Sequence, residues 1–428
     1  MKVRRKVMFA CICCFLGLMA LEGGARTMSL ITSWRSRQRA IQPASGDPSS
    51  RVKQWSSDLP LYRKHPVLHH VLTPSQTAHV TGRGIEIRVT TNKQSWREDH
   101  AIRRKPAVDT FRIFYVGDST TGGVVEPEHS LPRIVERMLN DQFARAAIHF
   151  EVINSGTSAY SFLLYHLLIK TRILEYNPSL VVLSIDMTDV ADDTLYRRTT
   201  VFDTEGEPLA VLPNVASIRH RYRITPEGVV ERSAMNRMAL TLIESSSLCY
   251  YIDRVLRQPD GSANRWPTAP SGFDSDANWM ALQWSDETRR NVSRSMDMLT
   301  RTLRLLKKHH VRVLLTGVPH HPQYTGVWSA QPHEVLRRVA EREGVPYLNS
   351  LEALREHVAG TEASEFYWAT DPTHMNQTGN RIWAQAHTSF LLDPLNDLLP
   401  APKDRLSNLT PDGSGKSSTA TGDLSGAR

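Results

Sequence analysis

Between residues 108 and 392, short apolar runs alternate with longer segments whose apolar residues recur every three or four positions, and no other feature restricts the architecture as much. The runs 111–116, 150–153, 180–185, 311–318 and 345–348 read as strands, the first of them of a kind buried on both faces. Segments 130–143, 161–176, 289–309, 333–342 and 376–391 read as helices. The first carries Leu131, Ile134, Val135, Met138 and Leu139 on one face, and the second stops at Asn177-Pro178. Such alternation with short connections predicts an α/β domain, doubly wound around a mostly parallel sheet. In such sheets, ligands bind outside the carboxyl ends of the strands.

Two stretches break the pattern. Residues 80–110 include Gly84-Ile85-Glu86-Ile87-Arg88-Val89, which reads as a hairpin or edge strand ahead of the core. Residues 196–288 are irregular and rich in Pro, Trp and Asp, with one helical stretch near 236–254; an insertion of this length is read as a lid or binding surface.

The ends differ in kind from the middle. Lys2, Arg4, Arg5 and Lys6 precede an uncharged, mostly apolar run over 7–21 and then Glu22-Gly23-Gly24-Ala25, the layout of an export signal. Fifteen helical residues span about 22 Å against roughly 30 Å of hydrocarbon, which favours cleavage after Ala25 over retention as an anchor. Both outcomes place the remainder outside the cytoplasm, in a periplasmic or extracellular location, with residues 7–21 as the membrane attachment where the leader is retained. Cys11, Cys13 and Cys14 lie within this leader and leave Cys249 alone, so the exported part has no internal disulfide, and no lipid-attachment pattern precedes any of the three.

The net charge is +8, and removing four basic residues and Glu22 with the leader leaves +5. Part of that excess sits at Arg35, Arg37, Arg39, Arg51 and Lys53, in an arm suited either to anionic headgroups or to a solvated spacer. The resulting division is a signal peptide or signal anchor (1–25), a basic linker (26–75), an accessory hairpin (76–107), the main domain with its insertion (108–395) and a disordered tail (396–428) built from Ser, Gly, Thr, Asp and Pro. No phosphate-binding glycine loop, zinc-spacing motif or nucleic-acid module is present, and no cofactor or metal is expected.

Gly117-Asp118-Ser119 follows the first core strand, where a serine can sit at the mouth of the sheet. Alone it makes an ordinary turn and cap. Three further stretches occupy matching places: Asn154-Ser155-Gly156 after the second strand, Asp186-Met187-Thr188-Asp189 after the third, and Asp371-Pro372-Thr373-His374 opening the last helix. Together, in this order, they resemble the blocks of the SGNH, or GDSL, hydrolase superfamily, over most of residues 108–392, and the leader and hairpin ahead of them look like its exported members. The resemblance implies a flavodoxin-like SGNH hydrolase fold, Ser119 as nucleophile, His374 as general base and Asp371 as its orienter. It places the oxyanion hole at the N–H groups of Ser119 and Gly156 and a side chain of the third block. There the family has Asn-Asp and this chain has Thr188-Asp189; a hydroxyl is shorter than an amide and needs its own acceptor. Loss of one such donor costs on the order of a hundredfold in rate.

The chemistry accounts for the residue types. A serine hydroxyl needs an imidazole to take its proton, and the imidazole needs a carboxylate to fix its tautomer. Other candidates are open to plainer readings. His320 and His321 after the fourth strand are substrate contacts or plain loop, Asp186, Asp189, Asp192 and Asp193 a solvated acidic loop rather than a cation site, and Trp266, Trp279, Trp284 and Trp328 either sugar-stacking or packing residues.

The sequence thus points to an exported serine ester hydrolase acting on an acylated glycan or small ester, with O-acetyl the first choice. The alternatives are an O-acyltransferase of exopolysaccharide or cell-wall assembly, and a non-catalytic glycan-binding relative.

Overall fold

The computed structural model describes residues 22–24, 56–213, 223–224, 230–231, 278–358 and 360–396. The apolar leader run, the basic arm up to residue 55, the helical stretch near 236–254, Cys249, Trp266 and the tail beyond 396 lie outside the described residues. Among those described, no helix is long and apolar enough to cross a membrane. Met1–Thr388 forms one compact unit and Ser389–Arg428 a second, of which 389–396 continue a helix.

After a short antiparallel pair, Tyr62–His65 with His69–Leu72, comes a longer hairpin. Strands β1 (Gln76–Gly82) and β2 (Ile85–Thr91) pair from Gln76 opposite Thr91 to Gly82 opposite Ile85. Their two-residue turn, Arg83-Gly84, has φ of 52° and 76°, the left-handed pair whose twist matches that of the strands. Burial alternates along both strands, so one face is apolar: Ala78, Val80, Ile85, Ile87 and Val89 pack with Leu61 and Leu72. Val124 and Trp368 pack against this cluster from the main domain.

The main domain continues with β3 (Thr110–Val116), α1 (Ser119–Gly122), α2 (Leu131–Gln142), β4 (His149–Asn154), α3 (Phe162–Thr171), β5 (Leu180–Ile185), α4 (Asp189–Arg197), α5 (Asp286–Lys308), β6 (Arg312–Gly317), α6 (Gln331–Glu343), β7 (Tyr347–Asn349), β8 (Asp371–Met375) and α7 (Gln377–Asn396). Five strands form one sheet in the order β7-β6-β5-β3-β4, with every neighbouring pair parallel. Chain order reverses between β3 and β5, which makes the crevice at their carboxyl ends the place where a ligand can enter between connections that diverge to either side. All six residues of β5 are buried. On β3, Phe114 and Val116 join the core that holds Leu163, Leu167 and Leu299, while the Tyr115 hydroxyl meets His387 of α7; helices therefore cover both faces. The expected doubly wound α/β fold is what the chain forms.

Three local features depart from the expected pattern. Asp371–His374 does not open the last helix: it lies on β8, which pairs antiparallel with Tyr367–Trp368. The helix starts at Gln377 and is capped by Asn376, whose Oδ1 accepts from Gly379 N at 3.1 Å. Asp189 begins a helix, α4, that packs against α3 and α5. The start of the insertion folds as a ribbon of Thr200–Phe202 and Pro208–Val211 whose Val201 and Ala210 are buried.

Candidate active site

The parallel register brings Val116, Asn154, Ile185 and Gly317 to one edge of the sheet, so the residues just beyond them share a single crevice. At Gly117 a Cβ would lie 2.0 Å from Thr121 Oγ1 and 3.1 Å from the Ser184 carbonyl, which leaves glycine as the residue that fits the turn from β3 into α1. Asp118 caps α1, its Oδ1 accepting from Thr120 N at 2.9 Å and Thr120 Oγ1 at 2.7 Å. Capping by Asp118 leaves the next side chain, Ser119, to face the crevice.

Ser119 Oγ is 2.8 Å from His374 Nε2 and 3.3 Å from Asp118 Oδ2, so the imidazole is the better acceptor of its proton. His374 Nδ1 is 2.9 Å from Asp371 Oδ2, which selects the tautomer with the proton on Nδ1 and the lone pair on Nε2. Asp371 is fully buried and His374 16% exposed, enough to leave the ring one open edge. Asp371 Oδ1 accepts from Thr373 Oγ1 at 2.6 Å and Thr373 N at 3.2 Å. Burial alone would raise the Asp371 pKa, but the imidazole, the Thr373 donors and the guanidinium of Arg83 hold it well below the usual carboxylate range. For His374, burial pulls downward and the Asp371 carboxylate more than reverses it, assisted by Asp118 and Asp186, so its pKa is raised.

Gly156 and Thr188 lie on the loops that follow β4 and β5 at the same edge of the sheet. A Cβ on Gly156 would be 2.2 Å from Gly122 N, which shows how closely the loops after β3 and β4 approach. Asn154 ties them, donating from Nδ2 to Gly122 O and accepting from Gly156 N, both at 3.1 Å. Thr188 Oγ1 donates to Asp186 Oδ1 at 2.8 Å, and its backbone N–H donates to the same oxygen at 2.9 Å. The single hydroxyl proton of Thr188 is thereby committed, where an asparagine amide would have a second N–H to offer.

Asp186, Asp189, Asp192 and Asp193 are not a solvated loop. They are 1%, 0%, 6% and 0% exposed, because α4 turns back under the crevice and seats them against α3 and α5. Asp193 accepts from Leu163 N, Ser295 Oγ and Arg197 Nε; Asp189 accepts from Asp186 N and the Tyr165 hydroxyl. Carboxylate oxygens of Asp118, Asp186 and Asp189 lie within 4.8 Å of one another, a spacing a cation could bridge. These oxygens already accept hydrogen bonds from Thr120, Thr188, Tyr165 and the Asp186 N–H. Burial, then mutual repulsion, pushes Asp118 up to about 6 and Asp189 and Asp192 well above the ordinary value. Asp186 goes the other way. Burial opposes its ionisation, yet His320, with Nε2 3.0 Å from Asp186 Oδ2, lowers its pKa.

His320 is therefore a buried partner of Asp186 and not a substrate contact, whereas His321 stands edge-on to Tyr367. Trp279 is buried with Nε1 donating to Met187 O, and Trp284 donates to Trp279 O, so both pack the structure. Residues before the main domain also reach the site. Arg97 donates to the carbonyls of Gly122 and Gly123, Glu98 Oε1 accepts from Asn154 N at 2.7 Å, and Arg83 Nη1 lies 2.8 Å from Asp371 Oδ2. Nothing local in the sequence marks these three, since each acts on a residue distant in the chain.

The chain is similar to several solved structures. One is a two-domain esterase active on acetylated mannans, co-crystallised with mannopentaose, at 14% identity and a TM-score of 0.38 over 68% of this chain; the chain spans about half, 51%, of that protein's length. Another is the acetylxylan esterase Axe2 of Geobacillus stearothermophilus, at 12% identity and a TM-score of 0.37 over 65% of this chain and 93% of that one. No curated protein matches the chain. Residues 115–382, more than half of the sequence, match the model of the GDSL-like lipase/acylhydrolase family. With the blocks beyond the first three strands and the Asp371–His374 strand in one crevice of a parallel sheet, this chain belongs to the GDSL-like lipase/acylhydrolase family.

Proposed function

We propose that this protein is an exported serine ester hydrolase that removes O-acyl groups, acetyl foremost, from a glycan by way of an acyl-Ser119 intermediate. The observation that carries the reading is the continuous line Ser119 Oγ, His374 Nε2, His374 Nδ1, Asp371 Oδ2, with contacts of 2.8 and 2.9 Å at its two hydrogen bonds. In the reaction, Ser119 Oγ attacks the ester carbonyl as its proton passes to His374 Nε2. The imidazolium, held by the Asp371 carboxylate, gives that proton to the departing sugar oxygen; water then attacks the acyl carbonyl as its proton passes to His374 Nε2, and the acid leaves as that proton returns to Ser119 Oγ. The developing oxyanion is assigned to the N–H group of Ser119, to that of Gly156 on turning from Asn154 Oδ1, which it meets at 3.1 Å, and to Thr188 on release from Asp186. Export is assigned to the basic and apolar leader, and the glycan to the company such exported members of the superfamily keep.

A second reading, a glycan-binding protein without turnover, is favoured by one observation: the Thr188 hydroxyl faces Asp186. One experiment separates the two. The purified full chain is assayed on p-nitrophenyl acetate beside Ser119→Ala, with intact-mass detection of the acyl adduct. The hydrolase reading expects an adduct on Ser119 and a loss on the order of a thousandfold or more in the variant; equal background rates and no adduct would leave binding as the function.

A further inference from the structure

We propose that Arg83, at the tip of the N-terminal hairpin, is a positioning residue of the hydrolase site: its guanidinium shares Asp371 Oδ2 with His374 and limits how strongly that carboxylate holds a charged imidazole. The proposal rests on the hydrolase reading above. It starts from geometry. Asp371 Oδ2 has two nitrogen neighbours, Arg83 Nη1 at 2.8 Å and His374 Nδ1 at 2.9 Å, while Oδ1 belongs to Thr373. Asp371 is wholly buried and the Arg83 side chain 39% exposed, so the hairpin tip closes the carboxylate off from water with a charge at the solvent boundary.

The tip is held in place. Thr370 Oγ1 donates to the Arg83 carbonyl, Trp368 Nε1 donates to Val124 O at 2.8 Å, and Trp368 and Val124 pack on the hairpin's apolar face. The residues flanking β8 are thus bound to the turn that carries Arg83.

The consequence is electrostatic. Asp371, Asp118 and Asp186 all favour the imidazolium form of His374. Arg83 stands against them, since a guanidinium on the shared oxygen draws charge from it and repels a second cation. The effect is to keep His374 a neutral base at lower pH than the three carboxylates alone would allow. Arg83 lies outside the stretch 115–382 that matches the family, so the device belongs to this chain's accessory hairpin.

The test uses the full chain with Arg83→Gln and Arg83→Lys, each checked for an unchanged thermal transition. In wild type the acid limb of kcat/KM is set by His374, whose pKa the neighbouring carboxylates raise. Arg83→Gln is expected to move that limb upward by about half a unit, the Coulombic shift being reduced by solvent screening, and to lower kcat more than it changes KM. Arg83→Lys is expected to restore the limb. A second readout does not need turnover: the His374 imidazole is titrated by NMR in Ser119→Ala with and without Arg83→Gln, its resonance identified by loss in His374→Gln. An upward shift supports the proposal even if wild type hydrolyses nothing, an outcome that would remove only the hydrolase reading. An unmoved titration overturns it, and so does a loss of kcat with an unmoved pH profile, which would make Arg83 a fold contact only.

Discussion

A lone buried carboxylate, Asp371, and a cluster of buried aspartates that begins at Asp118 serve the same crevice, and most of the cluster behaves opposite to Asp371. On one side Asp371 is fully enclosed yet held well below the usual carboxylate range. On the other, Asp118, Asp189 and Asp192 are comparably enclosed and pushed upward. Burial and hydrogen-bond donors are common to both; the balance of positive against negative neighbours is not. Asp371 has an imidazole and a guanidinium on one oxygen and a threonine on the other, whereas in the opposite cluster the acids face one another, and Asp186, which bonds His320, is lowered. A buried carboxylate is therefore an ion or a neutral acid according to the partners the fold brings to it, and only an ion can stabilise the imidazolium that ester cleavage forms.

The contrast is sharpened most by removing one charge from each side. Asp371→Asn is expected to lower kcat on the order of 10⁴-fold, because the amide favours the wrong imidazole tautomer. Asp189→Asn, which replaces an acid already biased toward its neutral form, is expected to stay within about threefold; equal losses in the two kinetic assays would erase the distinction.

A smaller effect is expected at His320→Gln. Taking away the imidazole beside Asp186 leaves a buried carboxylate without that partner, and urea denaturation should show a loss of about 3 kcal/mol. A loss under about 1 kcal/mol would mean the bond is an ordinary neutral one.

The smallest effect is a change in how stability depends on pH. An acid whose folded pKa exceeds its unfolded value of 3.8 contributes stability that is complete below that value and is lost as pH rises through the folded pKa, about 6 for Asp118. Asp192→Asn cannot ionise and escapes its share of that loss. The variant should be more stable than wild type at pH 7 and no different near pH 4 in thermal denaturation. A constant difference across pH would show that Asp192 is not part of the titrating cluster.

What was legible in the sequence follows from which interactions are local. The core strands were visible because a run such as 180–185 has no polar residue but Ser184, and a strand covered on both faces requires that. The helices were visible from spacing, as with Leu131, Ile134, Val135 and Leu139 on the buried side of α2. The four blocks were visible because turns after strands demand particular residues, glycine above all at 117 and 156. The acid cluster was misread as solvated because α4 is short, and four aspartates within eight residues have no apolar stripe by which to recognise a buried helix.

The amino-acid sequence by itself determined the parallel α/β architecture and the residues at the sheet's mouth, since burial on two faces and the steric demands of sharp turns are written in single short stretches. Tertiary structure alone decided that Ser119 meets a histidine 255 positions away, that Asp371 takes a guanidinium from a hairpin before the domain, and that His320 lowers Asp186 while Asp118, Asp189, Asp192 and Asp193 stay high. Charge state inside a protein depends on partners across space, and those partners are assembled only when the sheet closes its register.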